Sequence, residues 1–261
     1  MSGTCEVSGV KSMKISFEGT YDFVCGIGHY CVTASYLKRH CLRTTSGPFD
    51  WHAQEKDALL SNVKLIETDF RDFLKQEALV KFDKSSDELN NTDKDFYRNV
   101  TTGISFYHDF PRGVDLKDSY PAVRTKYDRR IARFYEQAKA GRTLLIYHTR
   151  TDQVSDEVLS EALTRLRQKL STQVDLLVIQ WDRTREDVAW ERVADGGYRA
   201  SGPLFAEDVR NLLGKTKLCD RIYGAIPFRG KWRQRLRRFL LKLKGSLRLS
   251  RTARHSARKG L

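Results

Sequence analysis

Apolar residues along the chain follow the spacings of strands and helices, and the clearest unit lies between residues 142 and 182. "RTLLIYHT" (142–149) is almost continuous in apolar residues, as buried parallel strands are, and "VDLLVIQWD" (174–182) has the same character. Between them, "SDEVLSEALTRLRQKL" (155–170) has apolar residues at helical spacing and begins with a serine followed by two acids. Strand, helix and strand in this order predict a βαβ unit and an α/β architecture.

The same patterns predict further strands and helices around this unit. The strands lie at 14–19, 21–27 and 99–110. The helices lie at 31–41, 52–66, 68–80, 122–139 and 203–213. A polar stretch at 83–95 predicts a loop, and Gly196-Gly197 predicts a hairpin. We expect one three-layer-like α/β domain with a mainly parallel sheet over 14–228, after a loose leader (1–13) and before a C-terminal basic amphipathic helix (229–261).

The bulk composition indicates a globular protein. Apolar residues make up 40% and aromatic residues 11% of the 261 positions, which excludes wholesale disorder. No apolar run approaches the roughly 20 residues that span a bilayer, and the N-terminus lacks the apolar core of a secretory signal. The five cysteines are scattered, without the pairing of a disulfide framework or a CxxC metal site. We therefore expect a cytoplasmic protein without a bound metal.

The net charge of +14 belongs to one end of the chain. Residues 229–261 contain 13 Lys or Arg and no acid, whereas residues 1–228 carry 34 basic and 33 acidic side chains. In the tail, large apolar residues recur at helical spacing: Trp232, Leu236, Phe239, Leu240 and Leu243. A basic helix with one apolar face is typical of helices that lie on anionic membranes. We expect peripheral binding to the inner face of the membrane. Nucleic acid is a less favoured partner, and docking on the protein body is a further alternative.

The stretch "DFVCGIGHYC" (22–31) ends a predicted strand with two glycines and begins a helix with a cysteine. A dinucleotide-binding turn has a third glycine where Cys31 stands, and a carboxylate at the end of the next strand. Because Asp50 instead follows a Gly-Pro turn, a nucleotide site is disfavoured. A cysteine in the first turn of a helix lies beside unpaired N–H groups that favour its thiolate. The turn predicts Cys31 as nucleophile, with Gly28 and His29 beside the substrate; a cysteine packed between strand and helix is the alternative.

A nucleophilic cysteine needs a base, which is usually a histidine held by a third polar group. His108 in "FYHDFP" and His148 in "LLIYHTR" both lie near the ends of predicted strands, and the residues alone do not choose between them. Neighbours in a strand point to opposite faces, so Asp109 is not expected to hold His108. Asp50 is the expected orienting carboxylate, and the N-cap of a helix that begins at Trp51 is its alternative role.

Several segments occur in an order that resembles a known family. They are "GIGHYC", "LRTTSGPFDW", "DFRDFL", "FYHDFP" and "KYDRRIARF", within residues 20–150. Together they resemble a bacterial family of unknown function labelled "putative papain-like cysteine peptidase". The resemblance implies an α/β fold with Cys31 as nucleophile and His108 as its partner. The chain departs from the family at Gly26, where the family has serine. Members often accompany genes of surface-polysaccharide biosynthesis, which also implies a transferase.

The "KYDRRIARF" segment places Tyr127, Arg129, Arg130 and Arg133 on one predicted helix. Arg129 and Arg133 are four residues apart, so they share a face. Two guanidinium groups on one face can bind a phosphate through forked hydrogen bonds, and a solvated face paired with nearby acids is the plainer alternative. The sequence thus predicts a cysteine-dependent acyl-transfer enzyme of the peptidase or hydrolase type, without a cofactor. The alternative is an acyl- or glycosyltransferase of cell-surface polysaccharide biosynthesis, with coenzyme A or a nucleotide-sugar as donor.

Overall fold

The structure is a computed structural model of the chain, and it describes residues 15–28, 31–54, 58–83, 93–149, 153–182, 184–185, 189–202, 217–230, 234, 236–237 and 239–240. The strands in these residues are β1 (Phe23–Gly26), β2 (His52–Ala53), β3 (Leu79–Phe82), β4 (Lys94–Asn99), β5 (Ser105–Pro111), β6 (Thr143–Thr149), β7 (Val174–Trp181), β8 (Ala189–Ala194) and β9 (Gly197–Gly202). The α-helices are α1 (Cys31–Arg39), α2 (Ala58–Glu67), α3 (Leu116–Ala140), α4 (Asp156–Lys169) and α5 (Lys217–Ala225).

The larger sheet has five strands in the order β1-β6-β7-β9-β8. β1, β6, β7 and β9 are parallel, and β8 runs antiparallel to β9. The predicted βαβ unit is β6–α4–β7, and β8 and β9 form the predicted hairpin. The Ser155 hydroxyl caps α4 by accepting a hydrogen bond from the Val158 backbone N–H. The prediction of an α/β fold with a mainly parallel sheet is therefore confirmed.

Helices cover both faces of this sheet, and each face has its own apolar core. Along β6, Leu145 and Tyr147 belong to the core that contains residues of α3 and α4, whereas Leu144 and Ile146 belong to the core that contains residues of α1 and α5. This alternation is the period of two of a strand that is buried on both faces. The result is a three-layer arrangement of helix, sheet and helix.

A second, four-stranded antiparallel sheet in the order β2-β5-β4-β3 is absent from the sequence-based architecture. Its apolar side chains, among them Phe106 and Phe110, join the core that contains α3 and α4. The strand predicted over 99–110 is two strands, because the Asn99 side chain accepts hydrogen bonds from the N–H groups of residues 101 and 102 and so forms a turn.

Two of the predicted helices differ from the structure. The helix predicted over 52–66 is present only as α2, because residues 52 and 53 pair with β5. The helix predicted over 68–80 is wrong. Asp69 and Phe70 have left-handed backbone angles, φ 52° and 56°, which end helical geometry after α2, and the chain pairs as β3 from Leu79.

Other differences lie at the ends of elements. Residues 15–20 form no strand, although one was predicted over 14–19. α3 begins at Leu116, before Pro121, whereas the prediction began it after that proline. α5 was not predicted. The leader (1–13), the helix predicted over 203–213 and most of the tail lie outside the described residues.

The end of α1 leads into the loop that contains "PFDW". Cys41 has a left-handed backbone (φ 53°), and the N–H groups of Leu42 and Arg43 both bond to the Leu37 carbonyl. This is the closing geometry that glycine usually supplies after a helix. The chain therefore reverses sharply after α1 into residues 42–51.

Candidate active site

The turn between β1 and α1 places Cys31 at the first position of the helix. The Ile27 N–H extends the sheet by bonding to the Ile146 carbonyl at 2.9 Å. A Cβ on Gly28 would lie 2.6 Å from Cε2 of Tyr147, and a Cβ on Gly26 would lie 2.7 Å from Cγ2 of Thr33. Both glycines thus allow close packing around the turn. Cys31 itself is partly exposed.

The electrostatics of Cys31 differ from the expectation. Burial raises the pKa of the Cys31 thiol, and a hydrogen bond from its backbone N–H opposes this rise. The expected fall in pKa at the helix N-terminus is therefore not found. The neutral thiol is favoured at pH 7, so a nucleophilic role requires a base that takes the proton during attack.

Asp50 lies in the loop after α1 and is only 5% exposed. Its carboxylate forms a short ion pair with Arg43 and accepts a hydrogen bond from the Gly47 N–H at 2.8 Å. Burial raises the pKa of Asp50, and the Arg43 guanidinium opposes that rise. Residue 51 is part of a turn, so Asp50 is not a helix N-cap. These contacts fix the loop around the carboxylate.

Trp51 connects this loop to His108. The Arg43 guanidinium lies 5.7 Å from the centre of the Trp51 ring, and the Trp51 and His108 ring centroids are 5.7 Å apart in an edge-to-face arrangement. His108 is an exposed residue of β5. Asp109 is buried on the opposite face of that strand, where it bonds to Lys126 and to the Tyr127 hydroxyl. The expectation that Asp109 does not hold His108 agrees with this arrangement.

One face of α3 brings the predicted arginines to the same loop. Tyr127 is buried, and the Arg130 guanidinium lies 5.1 Å from the centre of its ring. Arg130 and Arg133 are half-buried, whereas Arg129 is exposed. The structure therefore groups Arg130 with Arg133, in place of the predicted pair of Arg129 and Arg133. One turn further on, Gln137 accepts a hydrogen bond from the Thr44 hydroxyl at 2.9 Å.

Residues from three distant segments thus meet in one place, which we call the motif cluster: Arg43, Asp50, Trp51, His108, Tyr127 and Arg130. Arg43 was not among the predicted site residues, although it begins the "RTTSGPFDW" run. In the sequence, Arg43 is only a basic residue seven positions before Asp50. The conformation of the loop brings these two side chains together.

The second candidate base, His148, lies elsewhere. It is 2% exposed on β6, two residues beyond Ile146, which is the register partner of Gly26. It is therefore one strand away from the turn before Cys31. Its Nδ1 is 3.2 Å from the Tyr223 hydroxyl of α5. His148 thus belongs to the face of the sheet that α1 and α5 cover.

The predicted membrane-facing residues are described in part. Leu236, Phe239 and Leu240 are exposed, whereas Trp232 and Leu243 lie outside the described residues, as does His29 of the turn. None of the helices among the described residues has both the length and the apolar character of a membrane span. Among the same residues, no three His, Cys, Asp or Glu side chains are grouped as metal ligands.

Comparison with known proteins identifies a family. A family model described as "Putative papain-like cysteine peptidase (DUF1796)" matches residues 22–181, which is more than half of the chain. This range runs from β1 to β7 and includes the turn before Cys31 and the whole motif cluster. No curated protein and no solved structure matches the chain.

Proposed function

The chain belongs to the family described as putative papain-like cysteine peptidases, and from this premise we propose that it is a cysteine-dependent hydrolase with Cys31 as nucleophile. The observation that carries the proposal is the place of Cys31. It is the partly exposed first residue of α1, three positions after Gly28 and shortly after the end of the parallel strand β1. The carboxyl ends of parallel strands are where α/β proteins gather their sites.

The proposed chemistry is acyl transfer through a thioester. The Cys31 sulfur attacks a carbonyl carbon while an imidazole takes the thiol proton, because the thiol is neutral before attack. Backbone N–H groups at the start of α1 stabilise the oxyanion. The tetrahedral intermediate collapses with loss of the leaving group, which receives the proton from the imidazolium. Water then attacks the thioester and releases the acid, with the same imidazole as base.

We assign the base to His108. It is exposed and packs against Trp51, so it belongs to the motif cluster within the matched range. The Nδ1 of His148 is instead 3.2 Å from the Tyr223 hydroxyl of α5, and His148 has no contact with the motif cluster among the contacts described above. Asp50 holds the loop that presents Trp51, through Arg43 and the Gly47 N–H. Asp50 is thus proposed as a positioning residue that acts through Trp51.

A substrate-like acylating probe that traps thiol nucleophiles tests this proposal. We expect capture by the wild type and by Cys41→Ser, whose thiol is the other partly exposed one in the described residues. Capture should be lost in Cys31→Ser. His108→Asn should slow capture by about a hundredfold or more, while His148→Asn should leave it within a few fold. Equal capture by Cys31→Ser and the wild type would overturn the nucleophile assignment, and the reverse order of the histidine variants would overturn the assignment of the base.

The same thioester can pass its acyl group to an acceptor other than water, which is the transferase alternative. Hydrolase and transferase differ only in the second step, so product analysis separates them. With an activated acyl ester as substrate, we propose that free acid is the main product. Acylated hydroxyl or amine acceptors, formed in preference to acid, would assign the chain to acyl transfer.

We also propose that the tail holds the protein on an anionic membrane. Leu236, Phe239 and Leu240 have the spacing of one helix face, and they are 49%, 58% and 47% exposed among 13 cations without acids. Serine at all three positions should weaken co-sedimentation with phosphatidylglycerol vesicles at least tenfold. Serine at the exposed Val100 and Val114 is the matched control. Equal vesicle binding by both variants, or tighter binding to nucleic acid than to vesicles, would refute this role.

A further inference from the structure

Three arginine nitrogens near the motif cluster are buried without an acceptor. They are Nε of Arg43, Nη1 of Arg130 and Nε of Arg133, and in the described part of the chain none has a hydrogen-bond partner. Most buried donors in proteins are paired, and leaving one unpaired costs free energy. A guanidinium presents its donors in a rigid fork that matches the oxygens of a phosphate or a carboxylate.

Arg43 and Arg130 are linked through the Asp50 carboxylate, and Arg133 is one turn of α3 from Arg130. Arg43 bonds to Asp50, and the charge of Arg130 also acts on that carboxylate. Arg130 and Arg133 are one helical turn apart on α3, so their side chains are neighbours. Gln137 continues this face and bonds to Thr44, which is next to Arg43. The face of α3 that carries Arg130 and Arg133 therefore lies along the loop that follows α1.

The local charges leave an excess of positive charge. Arg43 pairs with Asp50, and Lys126 pairs with Asp109. Within the residues that the structure describes, Arg130 and Arg133 form no ion pair, and the neighbouring acid Asp128 pairs with Arg124 instead. Two cations thus remain to be balanced, which matches the double charge of a phosphate group better than the single charge of a carboxylate.

We propose that Arg130 and Arg133, supported by Arg43, bind a phosphate group of a small molecule. The two guanidinium groups donate hydrogen bonds to the phosphate oxygens, and the Arg43–Asp50 ion pair fixes the loop against which the phosphate lies. Arg129 has no part in this site, because it lies on the exposed side of the same helix. The site does not depend on the nucleophile, so it stands apart from the proposed hydrolase chemistry.

Titration calorimetry with inorganic phosphate at low salt tests the site. We expect saturable binding by the wild type and by Arg129→Gln, which differ by no more than about twofold. Arg130→Gln and Arg133→Gln should each weaken binding at least tenfold, since each removes charged hydrogen bonds. Arg130→Lys retains the charge but lacks the fork, so it should also bind more weakly. Thermal melts without phosphate show whether each variant is folded.

Coenzyme A and a nucleotide-sugar are titrated in the same way as inorganic phosphate. Tighter binding of either one than of inorganic phosphate, lost in Arg133→Gln, identifies the molecule that carries the phosphate. If Arg129→Gln and Arg130→Gln lose equal phosphate affinity, or if the wild type does not bind phosphate up to about 10 mM, the proposal is overturned. Cys31→Ser should bind phosphate like the wild type, so a failure of the nucleophile assignment is distinguishable from a failure of this site.

Discussion

Replacing Gly28 by alanine places a methyl group where the ring of Tyr147 already lies. The new Cβ would be 2.6 Å from one ring carbon of Tyr147 and closer still to a second. The ring itself is fully buried in the core beneath α3 and α4, so it has little room to move. Either the ring or the turn before Cys31 must shift.

The expected cost follows from this overlap. Overpacking a well-packed core costs typically 1–3 kcal/mol, and two overlapping ring carbons place Gly28→Ala near the upper end, at about 3 kcal/mol. Gly224 in α5 is the matched control, because its nearest neighbour would be 3.8 Å from a new Cβ. Gly224→Ala should stabilise the protein by about 0.5–1 kcal/mol, since alanine has the higher helix propensity.

Urea unfolding of the two single variants and of the pair Gly28→Ala with Tyr147→Leu measures these effects. In the paired variant the new methyl group occupies space that the ring has left, so the double change should cost about 2 kcal/mol less than the sum of the single changes. Capture of Cys31 by an acylating probe should also fall in Gly28→Ala. A loss of stability below about 1 kcal/mol, or additive effects in the paired variant, would show that the Tyr147 ring does not constrain the turn at Gly28.

Three further predictions concern the same region. Cys41→Gly removes the strain of a left-handed backbone (φ 53°) at a residue with a Cβ, so it should raise the free energy of unfolding, measured in urea, by about 1 kcal/mol. A lower free energy of unfolding would contradict this prediction. Burial raises the pKa of Asp50 in the folded state, so its stabilising contribution is present below the ordinary Asp pKa and is lost as the pH rises through the folded value. The free energy of unfolding of the wild type, relative to that of Asp50→Asn, should therefore fall as the pH rises from about 4. If urea titrations show that this difference increases with pH, the raised pKa of Asp50 is contradicted. Because burial raises the pKa of Cys31, its alkylation by iodoacetamide in the Cys41→Ser background should have a midpoint above the ordinary thiol range. A midpoint below pH 8 would contradict a neutral resting thiol.

The parts of the fold that local patterns specify were predictable from the sequence. The β6–α4–β7 unit has continuous apolar strands and a capped amphipathic helix, so each local signal agrees with the tertiary structure. The second sheet was not predictable in this way. His52 and Ala53 become a strand only because β5 lies beside them, and the run after residue 68 has helical spacing but a left-handed backbone at Asp69 and Phe70.

The candidate site shows the same division. The position of Cys31 at the start of a helix was predictable because the two glycines and the helix start are close in sequence. The sequence did not predict that Arg130 and Arg133 lie on the half-buried side of α3, because spacing alone does not say which side of the helix faces the loop after α1. The raised pKa of Cys31 was missed for a similar reason: the helix N-terminus is a local feature, whereas the burial that outweighs it comes from the tertiary structure.

In the proposed reaction, the sulfur of Cys31 forms the covalent intermediate. The most direct measurement is peptide mapping by mass spectrometry of the adduct that forms when the full chain is quenched during turnover of an activated acyl ester. We expect an acyl group on the peptide that contains Cys31, and none on the peptide that contains Cys41. An adduct that is absent from Cys31, or that forms equally on Cys41, would contradict it.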